Sequence, residues 1–197
     1  MSYMSPRFII RSRTPEQHLE EYAHKHGWPT VADVGEDLPS GQIRTIEWSI
    51  TGRAHLKFFE DDATRCPYFF IEADRLNLCL SMTKHAIDEL PVYSREDLLS
   101  AFDAAADGTE ERRRALLMVA LGAPHEFDRE VHRRITEAMR DEDAAIRSAA
   151  IYAMSYSPAI EYLSALREVA VSDADEQVRR EAQEMLDVFA QVGITSS

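Results

Sequence analysis

The stretch DEDAAIRSAAIYAM, residues 141–154, has two counterparts in the same chain. The closer one is DADEQVRREAQEML at 173–186, and the looser one is DGTEERRRALLMVA at 107–120. Their first aspartates are 34 and then 32 residues apart, and prolines recur at a similar interval. An arginine follows each aspartate six positions later: Arg113, Arg147 and Arg179. A repeat of this length predicts a solenoid of helix pairs, because one pair cannot bury its apolar face without a neighbour.

These stretches resemble the short repeats of the phycobilisome-lyase-type HEAT-like family. The shared elements are an aspartate, an apolar–arginine pair and a following alanine: Asp141, Ile146-Arg147 and Ala150, then Asp173, Val178-Arg179 and Ala182. The resemblance covers residues 91–190 and implies a right-handed stack of helix pairs that binds other macromolecules. It also implies an aspartate–arginine ladder between neighbouring repeats, so Asp141, Arg147 and Arg179 are expected to be structural. The first copy departs from the pattern because Arg112 stands at the apolar position.

Within residues 91–192 the apolar spacing predicts about three helix pairs. The second helix of each pair is predicted to begin at an N-cap aspartate, namely Asp107, Asp141 or Asp173. Glycine and small polar residues predict a frayed tail at 193–197.

Residues 1–90 do not repeat, and they predict a small α+β domain of about four strands and two helices. The first helix is predicted from Thr14-Pro15 to His26-Gly27, with Gln17 completing a capping box and Gly27 supplying the left-handed stop. A second helix is predicted over 75–90, with Leu76, Leu80, Thr83 and Ile87 facing one side. Strands are predicted at 7–11, 43–51, 54–59 and 66–73, and a loop is predicted at 32–41.

Composition limits the partners of this chain. The 197 residues carry a net charge of -13, which argues against binding to nucleic acids or anionic membranes and favours a partner with a basic surface. Residues 91–197 contain 12 arginines and no lysine against 21 acidic residues, and their interleaving is typical of surface ion pairs. Two cysteines, the short apolar run near the N-terminus and the lack of a long apolar segment predict a soluble cytoplasmic protein.

Three groups of residues invite a chemical interpretation. His24 and His26 could begin a metal site, but residues two apart on a helix point in different directions. Cys79 and His85 are six apart, which does not bring a thiol and a base face to face. The acidic turn at 60–62 is typical of a solvated loop. We therefore predict no catalytic residue, no metal ligand and no cofactor.

One feature points to binding. The positions beside the core stripe of the second helices are apolar in the first two copies, whereas the third copy has polar residues there. Such a face indicates either packing beneath the N-terminal domain or a recognition surface for a partner. In the second case the predicted partner-binding residues are Leu117, Met118, Leu121, Ile151, Tyr152, Tyr156 and Glu184.

The resulting functional hypothesis is a non-catalytic, intracellular protein-binding adaptor or inhibitor. Toxin-neutralising (immunity-type) proteins are one candidate class, because a small acidic scaffold suits the masking of a basic effector. One alternative, implied by the family resemblance, is a cofactor- or chromophore-handling lyase with a cleft between the domains. Another is a homo-oligomeric scaffold closed through the apolar face.

Overall fold

The computed structural model describes residues 2–37, 43–61 and 64–195. The chain separates into two compact units, Met1–Ser94 and Arg95–Ser197. The first unit contains the sheet and two helices, and the second unit is helical. The predicted mixed α+β class is therefore confirmed.

The first unit contains six strands in the part of the chain that is described. They are β1 (Tyr3–Met4), β2 (Phe8–Ile9), β3 (Thr30–Val34), β4 (Thr45–Thr51), β5 (Ala54–Glu60) and β6 (Pro67–Ala73). They form one antiparallel sheet in the order β1-β6-β5-β4-β3, and β2 also pairs with β6. The prediction of about four strands missed β1 and β3.

Strand β3 occupies residues that were partly predicted as a loop. Its residues are mostly exposed and show no alternation, because β3 lies at the edge of the sheet beyond β4. The rest of the predicted loop includes residues 38–42, which lie outside the described residues.

Two helices complete the first unit, α1 (Pro15–Lys25) and α2 (Leu76–Glu89). Gly27 has φ +70° and Trp28 N–H donates to the Ala23 carbonyl at 2.9 Å, as expected for a left-handed helix stop. The predicted capping box does not form, since Thr14 makes no side-chain cap and the Gln17 amide donates to Glu21 instead.

The core of this unit joins α1 and α2 to the sheet. Leu19 of α1 and Cys79 of α2 belong to one buried cluster with Trp48, Leu56 and Ile71 of the strands. The inward face of α2 was predicted correctly only at Thr83, because the helix is turned so that Cys79 and Ala86 pack with Thr83. The buried residues of the helix are Cys79, Thr83 and Ala86, whereas Leu76, Leu80 and Ile87 are exposed.

The second unit contains six α-helices and a short 3-10 helix, Ile160–Tyr162, among its described residues. The α-helices are α3 (Arg95–Ala104), α4 (Glu110–Leu121), α5 (Arg129–Ala138), α6 (Ala144–Ala153), α7 (Leu163–Ser172) and α8 (Glu176–Gln191). Helices adjacent in sequence pack together in the pairs α3–α4, α5–α6 and α7–α8. The second helices also pack in a row, with α4 against α6 and α6 against α8. Buried residues of this unit include Leu116, Ile135, Ile146, Leu166 and Val178.

The second helices begin later than predicted. Their N-caps are Thr109, Asp143 and Asp175, two residues after the aspartates chosen from the sequence. The reason is visible at Asp173, whose carboxylate accepts the Asp175 N–H at 2.9 Å. The first aspartate thus shapes the turn before the helix, and the second aspartate caps it. Among the helices of the described residues, none combines the length and the apolar character needed to cross a bilayer.

Candidate functional site

The structure divides the seven predicted partner-binding residues into a buried and an accessible set. Leu117, Leu121 and Ile151 are no more than 2% exposed, and Met118 is half-buried. Burial is extensive here because α4 contacts α3, α5 and α6, while α6 contacts α4, α5 and α8. Side chains enclosed to this degree are not available to a partner, so the accessible part of the predicted surface must lie elsewhere.

Tyr152, Tyr156 and Glu184 remain accessible. Tyr152 is 46% exposed and its ring meets that of the half-buried Tyr156 edge to face, with centroids 5.6 Å apart. Tyr152 and Glu184 line an open groove between α6 and α8 with a volume of about 300 Å³. We call this the α6–α8 groove, and its lining residues are Ser148, Ile151, Tyr152, Glu181, Glu184, Met185 and Val188. Tyr156 is not among them.

The α6–α8 groove combines an apolar floor with an acidic rim. Ile151, Met185 and Val188 are apolar, and Val188 is 47% exposed. Glu181 accepts hydrogen bonds from Ser148 and from the Gln177 amide, which hold its carboxylate in place. Glu184 is exposed, and no partner for its carboxylate is found among the described residues. This arrangement suits an apolar side chain next to a positive charge.

Four residues of the groove were not predicted as binding residues, although a signal for them exists: Ser148, Glu181, Met185 and Val188. On α8 the lining residues follow the spacing i, i+3, i+4 and i+7, and on α6 they follow i, i+3 and i+4. Both series describe a single helix face. The two faces become one site only because α6 packs against α8.

Arginines of the second unit form contacts within the fold. Arg147 donates to both carboxylate oxygens of Asp173, at 2.7 and 2.8 Å, as the family resemblance implied for a ladder. The same guanidinium lowers the pKa of Asp173. Arg179 donates to the Asp173 carbonyl at 2.6 Å. In the first copy it is Arg112, not Arg113, that approaches Asp141, with nitrogen and oxygen 3.9 Å apart.

Other arginines of the second unit are also paired with acids. Arg113 binds Glu110, and Arg133 binds Glu130 and Glu137. These contacts are the surface ion pairs that the interleaving of arginines and acids predicted.

A second cluster in the first unit was not predicted. His26, at the end of α1, lies beside His85 and Glu89 of α2, and one ligand-type atom from each residue lies within 4.8 Å of the other two. His26 Nε2 is 3.4 Å from Glu89 Oε2, and His85 Nδ1 is 3.7 Å from Glu89 Oε1. We call these three residues the His–His–Glu cluster. His24, the suggested partner of His26, is exposed and lies outside it.

Neighbouring groups define the environment of the His–His–Glu cluster. Lys25 Nζ is 2.6 Å from Glu89 Oε2, and this contact is the main cause of the lowered pKa of Glu89. The ring of Tyr22 contacts that of His26 at 4.8 Å, and the ring of Trp28 contacts it at 5.3 Å. Burial, and then the charge of Glu89, raise the pKa of the Tyr22 hydroxyl.

The remaining candidates are Cys79 with His85 and the acidic turn at 60–62. Cys79 is buried, and burial raises the pKa of its thiol. His85 belongs to the His–His–Glu cluster, in which its neighbours are His26 and Glu89. In the acidic turn, Asp61 accepts the Thr64 N–H at 2.7 Å, which is a turn contact, and Asp62 lies outside the described residues.

Comparison of the chain with protein-family models, with curated proteins and with solved structures found no match.

Proposed function

We propose that this protein is a non-catalytic protein-binding adaptor or inhibitor, and that the α6–α8 groove receives a segment of its partner. The observation that carries the proposal is the groove itself, in which exposed Tyr152 and Val188 lie beside the acidic Glu181 and Glu184. Exposed aromatic and aliphatic side chains next to oriented polar groups are typical of recognition surfaces.

The charge of the chain favours a basic partner. A net charge of -13 on 197 residues attracts positively charged proteins over a distance and accelerates their encounter. The carboxylates of the groove would then act at short range on a lysine or arginine of the bound segment. An inhibitor that masks a basic effector, as toxin-neutralising proteins do, has this chemistry.

We propose further that α3 to α8 are HEAT-like repeats. The pairing of consecutive helices and the row formed by α4, α6 and α8 support this. The bidentate contact from Arg147 of α6 to Asp173 also supports it, because Asp173 lies in the turn between α7 and α8 and the contact therefore joins two neighbouring pairs. In such a stack, a groove between two second helices is a natural place for an elongated segment.

The test is to select 12-residue peptides from a random library on the full chain and to measure their binding to variants. The selected peptides are expected to place lysine or arginine next to an aliphatic or aromatic residue. Val188→Asp and Glu184→Lys are expected to weaken binding about tenfold or more, because one removes apolar contact and the other reverses the charge.

Val171→Asp is the matched control, because Val171 is 83% exposed on α7 and does not line the groove. It should bind the peptides as the parent does. Peptides without basic residues, or equal binding to Val188→Asp and Val171→Asp, would refute the proposal. Light scattering on the same samples reports the alternative outcome, a homodimer closed through the groove. Ile151→Asp is unsuitable for this test because Ile151 is buried.

A further inference from the structure

The His–His–Glu cluster brings three metal-ligand groups together at the ends of two helices. His85 and Glu89 are one turn apart on α2, so their side chains share one face. His26 comes from the end of α1, where its backbone N–H bonds to the Tyr22 and Ala23 carbonyls. The position of the His26 ring is restricted by ring contacts with Tyr22, Trp28 and His85, the last with centroids 4.6 Å apart.

The three ligand atoms lie within 4.8 Å of one another, and two of the separations are close to those between the ligands of one metal ion. Two ligands of a tetrahedral zinc ion with bonds of about 2.0–2.1 Å are about 3.3 Å apart. His26 Nε2 and Glu89 Oε2 already lie 3.4 Å apart, and His85 Nδ1 is 3.7 Å from Glu89 Oε1. The side chains are 21%, 37% and 29% exposed for His26, His85 and Glu89, so an ion can reach them from solvent.

We propose that His26, His85 and Glu89 form a binding site for a divalent transition-metal ion of the Zn²⁺ class. Two imidazoles and one carboxylate favour Zn²⁺ and its neighbours over Ca²⁺ and Mg²⁺, which prefer oxygen ligands. Three protein ligands leave a coordination position open for water or for a ligand supplied from outside.

The Tyr22 hydroxyl provides an independent observation at this place. Tyr22 is 5% exposed, and its hydroxyl has no hydrogen-bond partner among the described residues. A buried hydroxyl without a partner is costly and calls for an explanation. The ring of Tyr22 lies against the rings of His26 and His85. The charge of Glu89 contributes to the raised pKa of the Tyr22 hydroxyl. Water held by a metal ion would donate a hydrogen bond to the hydroxyl oxygen, a contact that the described residues do not supply.

Lys25 opposes the metal ion and gives the proposal a distinctive test. Its ammonium group lies 2.6 Å from Glu89 Oε2, an oxygen that the ion would use. The Lys25 side chain is 63% exposed, so its displacement costs little. Removal of Lys25 is therefore expected to tighten metal binding by up to about fivefold, the value of an exposed ion pair.

The experiment is a titration of the tag-free full chain with Zn²⁺ and with Co²⁺ at neutral pH, in which calorimetry and tryptophan fluorescence monitor binding. One equivalent is expected to bind, and Co²⁺ is expected to quench Trp28, whose ring contacts His26 at 5.3 Å. His26→Ala and His85→Ala should each lower the affinity by about tenfold or more, because even groups behind the ligands contribute 10- to 100-fold. Lys25→Ala should raise it.

His24→Ala is the matched control, since His24 lies on the same helix and outside the cluster. Its affinity should equal that of the parent. Glu89→Gln keeps the shape of the side chain and serves where an alanine variant fails to fold, as judged by circular dichroism without metal. The proposal is overturned if the parent binds less than one equivalent, or if His24→Ala and His26→Ala lose affinity equally. It is also overturned if Lys25→Ala binds the ion more weakly than the parent.

Discussion

Replacement of Arg147 by methionine is expected to destabilise the second unit by about 3 kcal/mol. Arg147 and Asp173 are joined by two hydrogen bonds, and their side chains are only 12% and 6% exposed. Methionine retains most of the aliphatic packing but leaves the Asp173 carboxylate without its cation. Removal of one partner from a buried pair costs about 3–5 kcal/mol. The lower end of this range applies because the Asp173 carboxylate still accepts a hydrogen bond from the Asp175 N–H.

Two optical signals separate the units in a urea titration. Both tryptophans of the chain, Trp28 and Trp48, lie in the first unit, so their fluorescence follows the sheet domain. Circular dichroism at 222 nm is dominated by the helices, six of which belong to the second unit. With a slope of about 1.5 kcal/mol per molar urea, the circular dichroism midpoint should fall by about 2 M. The fluorescence midpoint should not change.

Arg133→Met is the matched control for Arg147→Met. Arg133 also binds carboxylates, but it is 45% exposed, and exposed pairs contribute at most about 1 kcal/mol. If Arg147→Met proves no more damaging than Arg133→Met, the bond from Arg147 to Asp173 does not stabilise the helix stack. The argument from burial would then be refuted.

Two further predictions concern a buried hydroxyl and acid stability. Tyr22→Phe is expected to raise the free energy of unfolding of the first unit by about 1 kcal/mol, because the hydroxyl that it removes is buried without a partner among the described residues. The measurement is tryptophan fluorescence in a urea titration. A loss of stability would show that the hydroxyl does have a hydrogen-bond partner. The pKa of Asp128 is lowered by Arg95 and that of Asp173 by Arg147, so their stabilisation is complete above the ordinary pKa of about 3.9 and is lost as the pH falls through their lower folded values. The urea midpoint of the second unit should therefore fall steadily below about pH 4, and a midpoint independent of pH down to 2 would contradict this.

The helices were predictable because their signals are local. The recurring aspartates and arginines lie within one or two turns of the elements that they organise, so spacing alone located the second helices. Their starts were displaced by two residues, because Asp141 and Asp173 accept the N–H of a second aspartate before the helix begins. A rule that favours the first aspartate cannot distinguish a turn residue from a cap.

The sheet edge and the His–His–Glu cluster were less predictable because they depend on distant pairing. Strand β3 is defined by backbone bonds to β4 and not by its own apolar pattern. His26 meets residues of α2 that lie about 60 positions later in the chain, which no spacing rule anticipates. The α2 half of the cluster was readable, since His85 and Glu89 are four residues apart on a predicted helix.

The α6–α8 groove limits the chemistry of a partner more strongly than its apolar floor alone would. A purely apolar segment seated there would remove the carboxylates of Glu181 and Glu184 from water without replacing the hydrogen bonds that water makes to them. The cost would be about 1–3 kcal/mol for each group. Nucleic acid would place phosphates beside these carboxylates. A segment that carries an aliphatic or aromatic residue next to lysine or arginine avoids both penalties. Such a segment would cover the exposed faces of Tyr152 and Val188, and its cation would bind the glutamates. The proposal of a basic, partly apolar partner segment therefore rests on energetic grounds that do not depend on the resemblance to HEAT-like repeats.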